Sequence, residues 1–269
     1  MRLCPAWILF FESVRLPSIP ELAHSLIQTL KDEDAGVVEI GALIARDPAI
    51  AAKLLQLANS AQFGLPRGVG SIEDAIAMVG MNKVRTLALG ACLSGSFTAV
   101  AGLDTHAFWK TSMACAGYAE WLAEKVGVDV QMAWLTGMML RLGEVLIAQA
   151  EPRTLLEIEK LPLAPGMRWQ RERQLIGFTE GQITSELARR WNFPMQMVQA
   201  LQRSADPLVD QAYSRLGAIV HLAGLLADSP NAGPEQVQDL PSDVLAALPI
   251  EADWMRAHFP IHADFIDVR

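Results

Sequence analysis

Asp47-Pro48, followed by Ile50, Leu54, Leu57 and Ala58, constrains the folding of this chain more than any other feature. An aspartate can accept the free amides of a first helical turn, and proline's fixed φ suits the first helical position, so the pair starts a helix and sets its register. Gly64, Pro66, Gly68 and Gly70 then mark the loop that ends it. The same punctuation recurs along the chain, and no segment shows the two-residue alternation of a half-buried strand. The expected fold class is all-α.

The remaining punctuation predicts a series of helices. Ser18 with Glu21 has capping-box spacing ahead of a helix over 20–31, and a second helix is expected over 37–45. Ser71 and Asp74 open a short helix that Gly80 closes, and Asn82 starts another. Thr105 can cap a long helix ended by Gly127, and one continuous apolar helix is expected over 130–150. Pro152 begins the next. Further helices are expected over 168–176, over 180–191 behind a Thr179/Gln182 capping box, over 194–203 and over 210–227. A proline-richer tail follows with one or two short helices. Looser sequence near 95–104 suggests two packed helical subdomains. The expected division is a packing segment over 1–15, an N-terminal helical group over 16–97, a second helical group over 98–228 and a tail over 229–269.

Charge and cysteine usage exclude several functions. A formal net charge of -8 argues against a general nucleic-acid binder, whose phosphate-tracking surface needs clustered Lys and Arg. Arg168, Arg171 and Arg173 come closest to such a cluster, but Glu172 interrupts them, and they read as a solvated helix face. Cys4, Cys92 and Cys115 lie too far apart for a disulfide framework or a zinc site. The apolar start carries Pro5 and Glu12 and no cleavage site, so it reads as a segment packed on the domain, and a cytoplasmic protein is expected. The 130–150 helix holds Arg141 and Glu144 mid-way, which favours a buried core helix over membrane insertion. His258 and His262 have metal-binding helical spacing, but Pro260 stands between them. His221, on an apolar helix, reads as a satisfied core or boundary histidine.

The segment from Ile44 to Leu65, with Leu16-Pro17-Ser18-Ile19-Pro20-Glu21-Leu22 before it and Ser71-Ile72-Glu73-Asp74-Ala75-Ile76, Gly80 and Val84-Arg85-Thr86-Leu87 after it, resembles the HDOD domain. That domain is a helical relative of the HD metal-dependent phosphohydrolases and occurs in bacterial signalling proteins. The resemblance implies an HD-like multi-helix fold. It also implies where metal ligands would stand in a catalytic relative: a His, a His-Asp pair and a later Asp. By local context these positions fall on Thr111 within Trp109-Lys110-Thr111-Ser112, on Leu140 and Arg141 within Gly137-Met138-Met139-Leu140-Arg141-Leu142-Gly143, and on Gly224 after His221-Leu222-Ala223.

Thr, Leu, Arg and Gly cannot together hold a catalytic divalent ion, because they offer at most one weak oxygen donor and a competing cation. Histidines common in relatives are also replaced, by Glu180 and by Arg203-Ser204-Ala205. The expectation is a pseudoenzyme with no catalytic residue, metal or cofactor. The signature residues Asp47, Pro48, Asn59, Ser60 and Gly64 have structural readings as cap, helix-end hydrogen bonds and a loop glycine. The resemblance then implies a non-catalytic scaffold that binds other signalling proteins. The chain leaves no room for a fused receiver or sensor domain and would act in trans, and a homo-oligomer stays open. The alternative is a small phosphorylated or nucleotide ligand held by Arg141 and Lys110 in the vacated pocket; a retained phosphohydrolase is a minor alternative.

Overall fold

The computed structural model describes residues 5–30, 37–59, 68–97, 100, 102–160, 164–209, 213–229 and 232–260. Among these, every regular element is a helix. The first group comprises α1 (Pro5–Ser13), α2 (Glu21–Thr29), α3 (Val37–Ala45), α4 (Pro48–Ala58), α5 (Ile72–Val79) and α6 (Met81–Ser96). The second comprises α7 (Thr105–Val126), α8 (Val130–Met139), α9 (Leu142–Ala150), α10 (Pro152–Ile158), α11 (Met167–Ile176), α12 (Glu180–Arg190), α13 (Met195–Gln202) and α14 (Arg215–Ala227). A 3-10 helix (Pro234–Asp239), α15 (Ser242–Ala247) and α16 (Ala252–Ala257) form the tail, one short element more than expected.

Most caps fall where the residues place them. Asp47 Oδ1 accepts from the amides of Ala49 and Ile50, Ser71 Oγ accepts from Asp74 N–H, and Thr179 and Gln182 form a reciprocal capping box. Gly127 ends α7 in the left-handed region at φ 67°, where glycine carries no Cβ penalty. Two expected caps are corrected. Ser18 does not cap α2, whose N-cap is Pro20, and Thr105 yields to Asp104, whose carboxylate accepts from His106 and Ala107 N–H. Asp reaches two first-turn amides at once, so the preceding residue takes the role.

Helix α7 lies against α8 and α14, α12 against α13 and α9, and α2 and α4 against α6. One apolar core joins the two helical groups, from Leu26 and Leu54 through Leu89 and Trp134 to Leu201 and Leu222. Gly90 permits the close approach of α6 to α8, since a Cβ there would lie 3.2 Å from Trp134 Cη2 and from Met138 Sδ. A second, smaller core gathers Phe10, Val14, Leu146, Ile147, Leu155, Phe178 and Ile183. Trp7 and Phe10 of α1 stand edge-on to Phe178 at centroid distances of 5.0 and 5.1 Å, which anchors the N-terminal helix. In the tail, Trp254 stacks on Trp121 at 5.4 Å, fastening α16 to α7.

The continuous apolar helix expected over 130–150 is two helices, broken at Leu140-Arg141. Thr184 of α12 bridges the break: its hydroxyl accepts from Gly143 N–H at 2.8 Å, and its one hydrogen faces the carbonyls of Glu180 at 2.9 Å and Leu140 at 3.0 Å. Gly143 is needed here because a Cβ would collide with the Glu180 carbonyl oxygen. By length and composition the stretch could cross a membrane, but 83% of its most apolar window is buried in the domain.

Candidate functional site

Of the four positions that the resemblance assigned to the metal-site pattern, three converge. Leu140 and Arg141 sit at the helix break, and Gly224 on α14 faces them: a Cβ on Gly224 would stand 3.0 Å from Leu140 Cδ2 and 3.1 Å from Trp169 Cζ2. The indole of Trp169, from α11, thus fills the space beside Gly224. Thr111 does not join them through its hydroxyl, which donates to the Ala107 carbonyl of its own helix at 3.0 Å. The group on α7 that feels Arg141 and Glu180 is the buried Cys115, whose thiol burial pushes up to about 12.

Around Arg141 lies a buried ionic cluster drawn from α9, α11 and α12 and from the C-terminal ends of α10 and α14. Its guanidinium donates to Glu144 Oε1 at 2.6 Å, pairs with Asp228 just beyond α14, and lies 3.8 Å from Glu180 Oε2. Arg168 of α11 pairs with Glu144 at 3.1 Å, with Glu172 and Glu180 at 3.2 Å each, and with Glu159 after α10. Trp169 Nε1–H donates to Glu180 Oε1 at 3.0 Å, and Glu180 N–H donates to Glu172 Oε2 at 2.8 Å. Arg141 and Arg168 are 4% exposed and Glu172 and Glu180 0%, so water contributes little to their solvation and the pairing must replace it.

This geometry corrects two expectations. Arg168 is not part of a solvated face; it is buried, while Arg173 pairs at the surface with Asp206. Lys110 is exposed and the buried Arg141 already faces Glu144, Glu180 and Asp228, so the two do not form a shared anion site. Arg141 pairs with Glu144, and Glu120, on α7, pairs with Lys83.

The environment splits the carboxyls. Burial pushes Glu180 up, but Arg141 and Arg168 with the Trp169 hydrogen bond outweigh it and hold Glu180 below the usual range. Burial and then the neighbouring Glu180 charge push Glu172 well above that range, with Arg168 opposing. Burial likewise raises Glu144 against the pull of Arg168 and Arg141. His221, tilted against Trp169 with ring centroids 5.1 Å apart and Nδ1 2.7 Å from the Ser204 carbonyl, is lowered by burial, as suits a satisfied boundary histidine.

A divalent metal, which the parent fold would place here, does not fit these residues. Leu140 and Gly224 supply no donor, Trp169 occupies the space, and Arg141 brings a cation into the carboxylates' reach. Among the described residues no group of three or more His, Cys, Asp or Glu is arranged to hold a metal ion.

The signature residues act on the backbone. Asp47 caps α4 with Pro48 at its first position, and Asn59 ties the end of α4 to Val69: its Nδ2 donates to the carbonyls of Leu55 and Val69 at 2.8 and 2.9 Å, and its Oδ1 accepts from Val69 N–H at 2.8 Å. Ser60 and Gly64 lie outside the described residues, as does His262.

The chain is similar over its length to known proteins. It is 24% identical over 256 residues to an uncharacterized protein of Treponema pallidum, a match covering 89% of this chain and 48% of that one, so the chain spans about half the length of this curated relative. An HDOD domain protein of unknown function from Geobacter sulfurreducens superposes with a TM-score of 0.75 at 20% identity, covering 93% and 91% of the two chains. A Shewanella amazonensis protein provisionally named a phosphohydrolase gives 0.75 at 24%, covering 94% and 92%. A Marinobacter aquaeolei protein provisionally named a signal transduction protein gives 0.74 at 20%, covering 91% and 56%. At these identities the structural likeness speaks for an all-α, HD-like fold and no further. The HDOD domain family itself matches residues 16–207, and the chain belongs to that family.

Proposed function

We propose that this HDOD protein is a non-catalytic, cytoplasmic signal-transduction scaffold that works by binding other proteins. The observation that carries the reading is Arg141, at the position where the resemblance puts the metal-binding aspartate of catalytic relatives: its guanidinium lies among Glu144, Glu180 and Asp228. The chain supplies its own cation to the old cavity, and Trp169 and Leu140 fill the rest. Water activation by a metal has no donor set to rest on there. The family membership and the neighbour provisionally named for signal transduction support the signalling class.

A phosphorylated ligand at Arg141 is the weaker reading, because it would have to displace carboxylates already bound to a buried guanidinium. The scaffold reading is tested by capturing partners with the tagged full chain in its native cell and rebuilding each complex from purified components. A signalling protein that binds directly is the expected result. Turnover of a phosphomonoester or phosphodiester by the purified chain, abolished by substitutions lining this pocket, would overturn it.

A further inference from the structure

Helix α11 is joined to the domain in an unusual way. Its buried residues are Arg168, Trp169 and Glu172, only one of them apolar, and its last residue, Ile176, adds a partly buried contact to the smaller core. Its other ties are polar: Arg171 Nη1 donates to the Ile158 carbonyl at 2.9 Å and to that of Lys160, and Arg173 pairs with Asp206. The hydrophobic effect alone holds such a helix weakly, so the ionic cluster decides whether it stays seated.

The cluster is short of positive charge. Arg141 and Arg168 face Glu144, Glu159, Glu172, Glu180 and Asp228, five carboxyls to two guanidiniums. The mismatch is sharpest at Arg168: the single hydrogen on its Nε has Glu172 Oε1 and Glu180 Oε2 both at 3.2 Å, while its Nη2, 3.1 Å from Glu144 Oε1, is aimed away from Glu172 and makes no hydrogen bond. The hydrogen bond goes to Glu180, and Glu172 Oε1 is left buried without a hydrogen bond while its Oε2 accepts from Glu180 N–H. Two fully buried carboxylates cannot share one donor without severe repulsion. Cys115 on α7 and His221 on α14 are the remaining titratable groups at the cluster's edge; both are buried and neither supplies a positive charge, the thiol being pushed up and the imidazole down.

We propose that Glu172 is a neutral carboxylic acid at neutral pH, its proton on Oε1, and that this proton latches α11 over the vacated pocket. Loss of the proton places a second buried anion against that of Glu180 and loosens α11 before the rest of the fold. The raised affinity of Glu172 for its proton, set by burial and the Glu180 charge, agrees with this. A carboxyl that binds its proton more tightly when folded favours folding at low pH. Its contribution is complete below the ordinary carboxylate range and is lost as pH climbs toward the folded value, at about tenfold in the folding constant per pH unit.

The test uses the full chain and Glu172→Gln, which keeps the shape and mimics the neutral acid. Folding constants from urea titrations across neutral to alkaline pH should fall less steeply in Glu172→Gln than in the parent, by about one proton's slope. Infrared spectra of the folded parent should show a protonated carboxylic acid's carbonyl stretch that is weaker in Glu172→Gln by one carboxyl. Hydrogen-exchange protection factors of α11 should drop with rising pH ahead of those of α7 in the parent alone. Equal pH slopes in the two proteins, or an acid band of undiminished intensity in Glu172→Gln, would refute the assignment. Unchanged α11 protection up to global unfolding would refute the latch.

Discussion

Replacing Arg141 by Met keeps the stem's bulk and removes the guanidinium. Glu144, 5% exposed at its side chain, and the fully buried Glu180 then face Arg168 as their remaining strong cation, and Asp228 loses its partner at the rim, 11% exposed. Removing one member of a buried ion pair typically costs about 3–5 kcal/mol, because a buried charge is left uncompensated. In a chain of this size that corresponds to a fall in Tm of about 6–20 °C, at roughly 2–4 °C per kcal/mol. Urea unfolding followed by circular dichroism and tryptophan fluorescence would read this as a lower midpoint at unchanged m-value. The double variant Arg141→Met with Glu180→Gln should recover part of the loss, since the stranded anion is gone. A single variant within about 0.5 kcal/mol of the parent, the scale of ordinary surface substitutions, or a double variant less stable than the single one, would refute the argument that these charges compensate one another in a dry interior.

Asn59→Ala removes the side chain that satisfies both the amide and the carbonyl of Val69, so a loss of about 1–3 kcal/mol is expected in the same titration. Gly143→Ala drives a methyl into the Glu180 carbonyl and should cost more than about 3 kcal/mol or prevent folding, as judged by soluble yield and circular dichroism. The thiols of Cys92 and Cys115, buried and each pushed up to about 12, should resist alkylation in the native protein at mildly alkaline pH and react at once in denaturant, as mass spectrometry of the labelled chain would show.

The helical scaffold was legible because its caps act locally. Asp47-Pro48, the Thr179/Gln182 box and Gly127 need only their neighbours to take effect. Arg141 was legible as an anomaly, a charge in the middle of an apolar run. Its partners were not. Arg168 and Glu172 lie in the most polar helix of the second group, where a run of charges normally faces water, and the spacing that brings them inward is shared with any solvated i, i+4 pair. The one signal was Trp169 beside Arg168, a large apolar group that gives a polar helix an inner face. Asp228 lies 87 residues from Arg141 and is brought to it by the course of α14. The break at Leu140-Arg141 was equally hidden, because the Thr184 hydroxyl that bridges it comes from another helix.

The most direct measurement is the metal content of the protein purified without chelators and again after incubation with Fe(II), Mn(II) and Zn(II), read by elemental mass spectrometry alongside Arg141→Ala. The account predicts substoichiometric metal in both proteins, unaffected by the substitution. A full equivalent of one ion held through dialysis by the parent chain, with ligands mapping to the helices around Arg141, would contradict it.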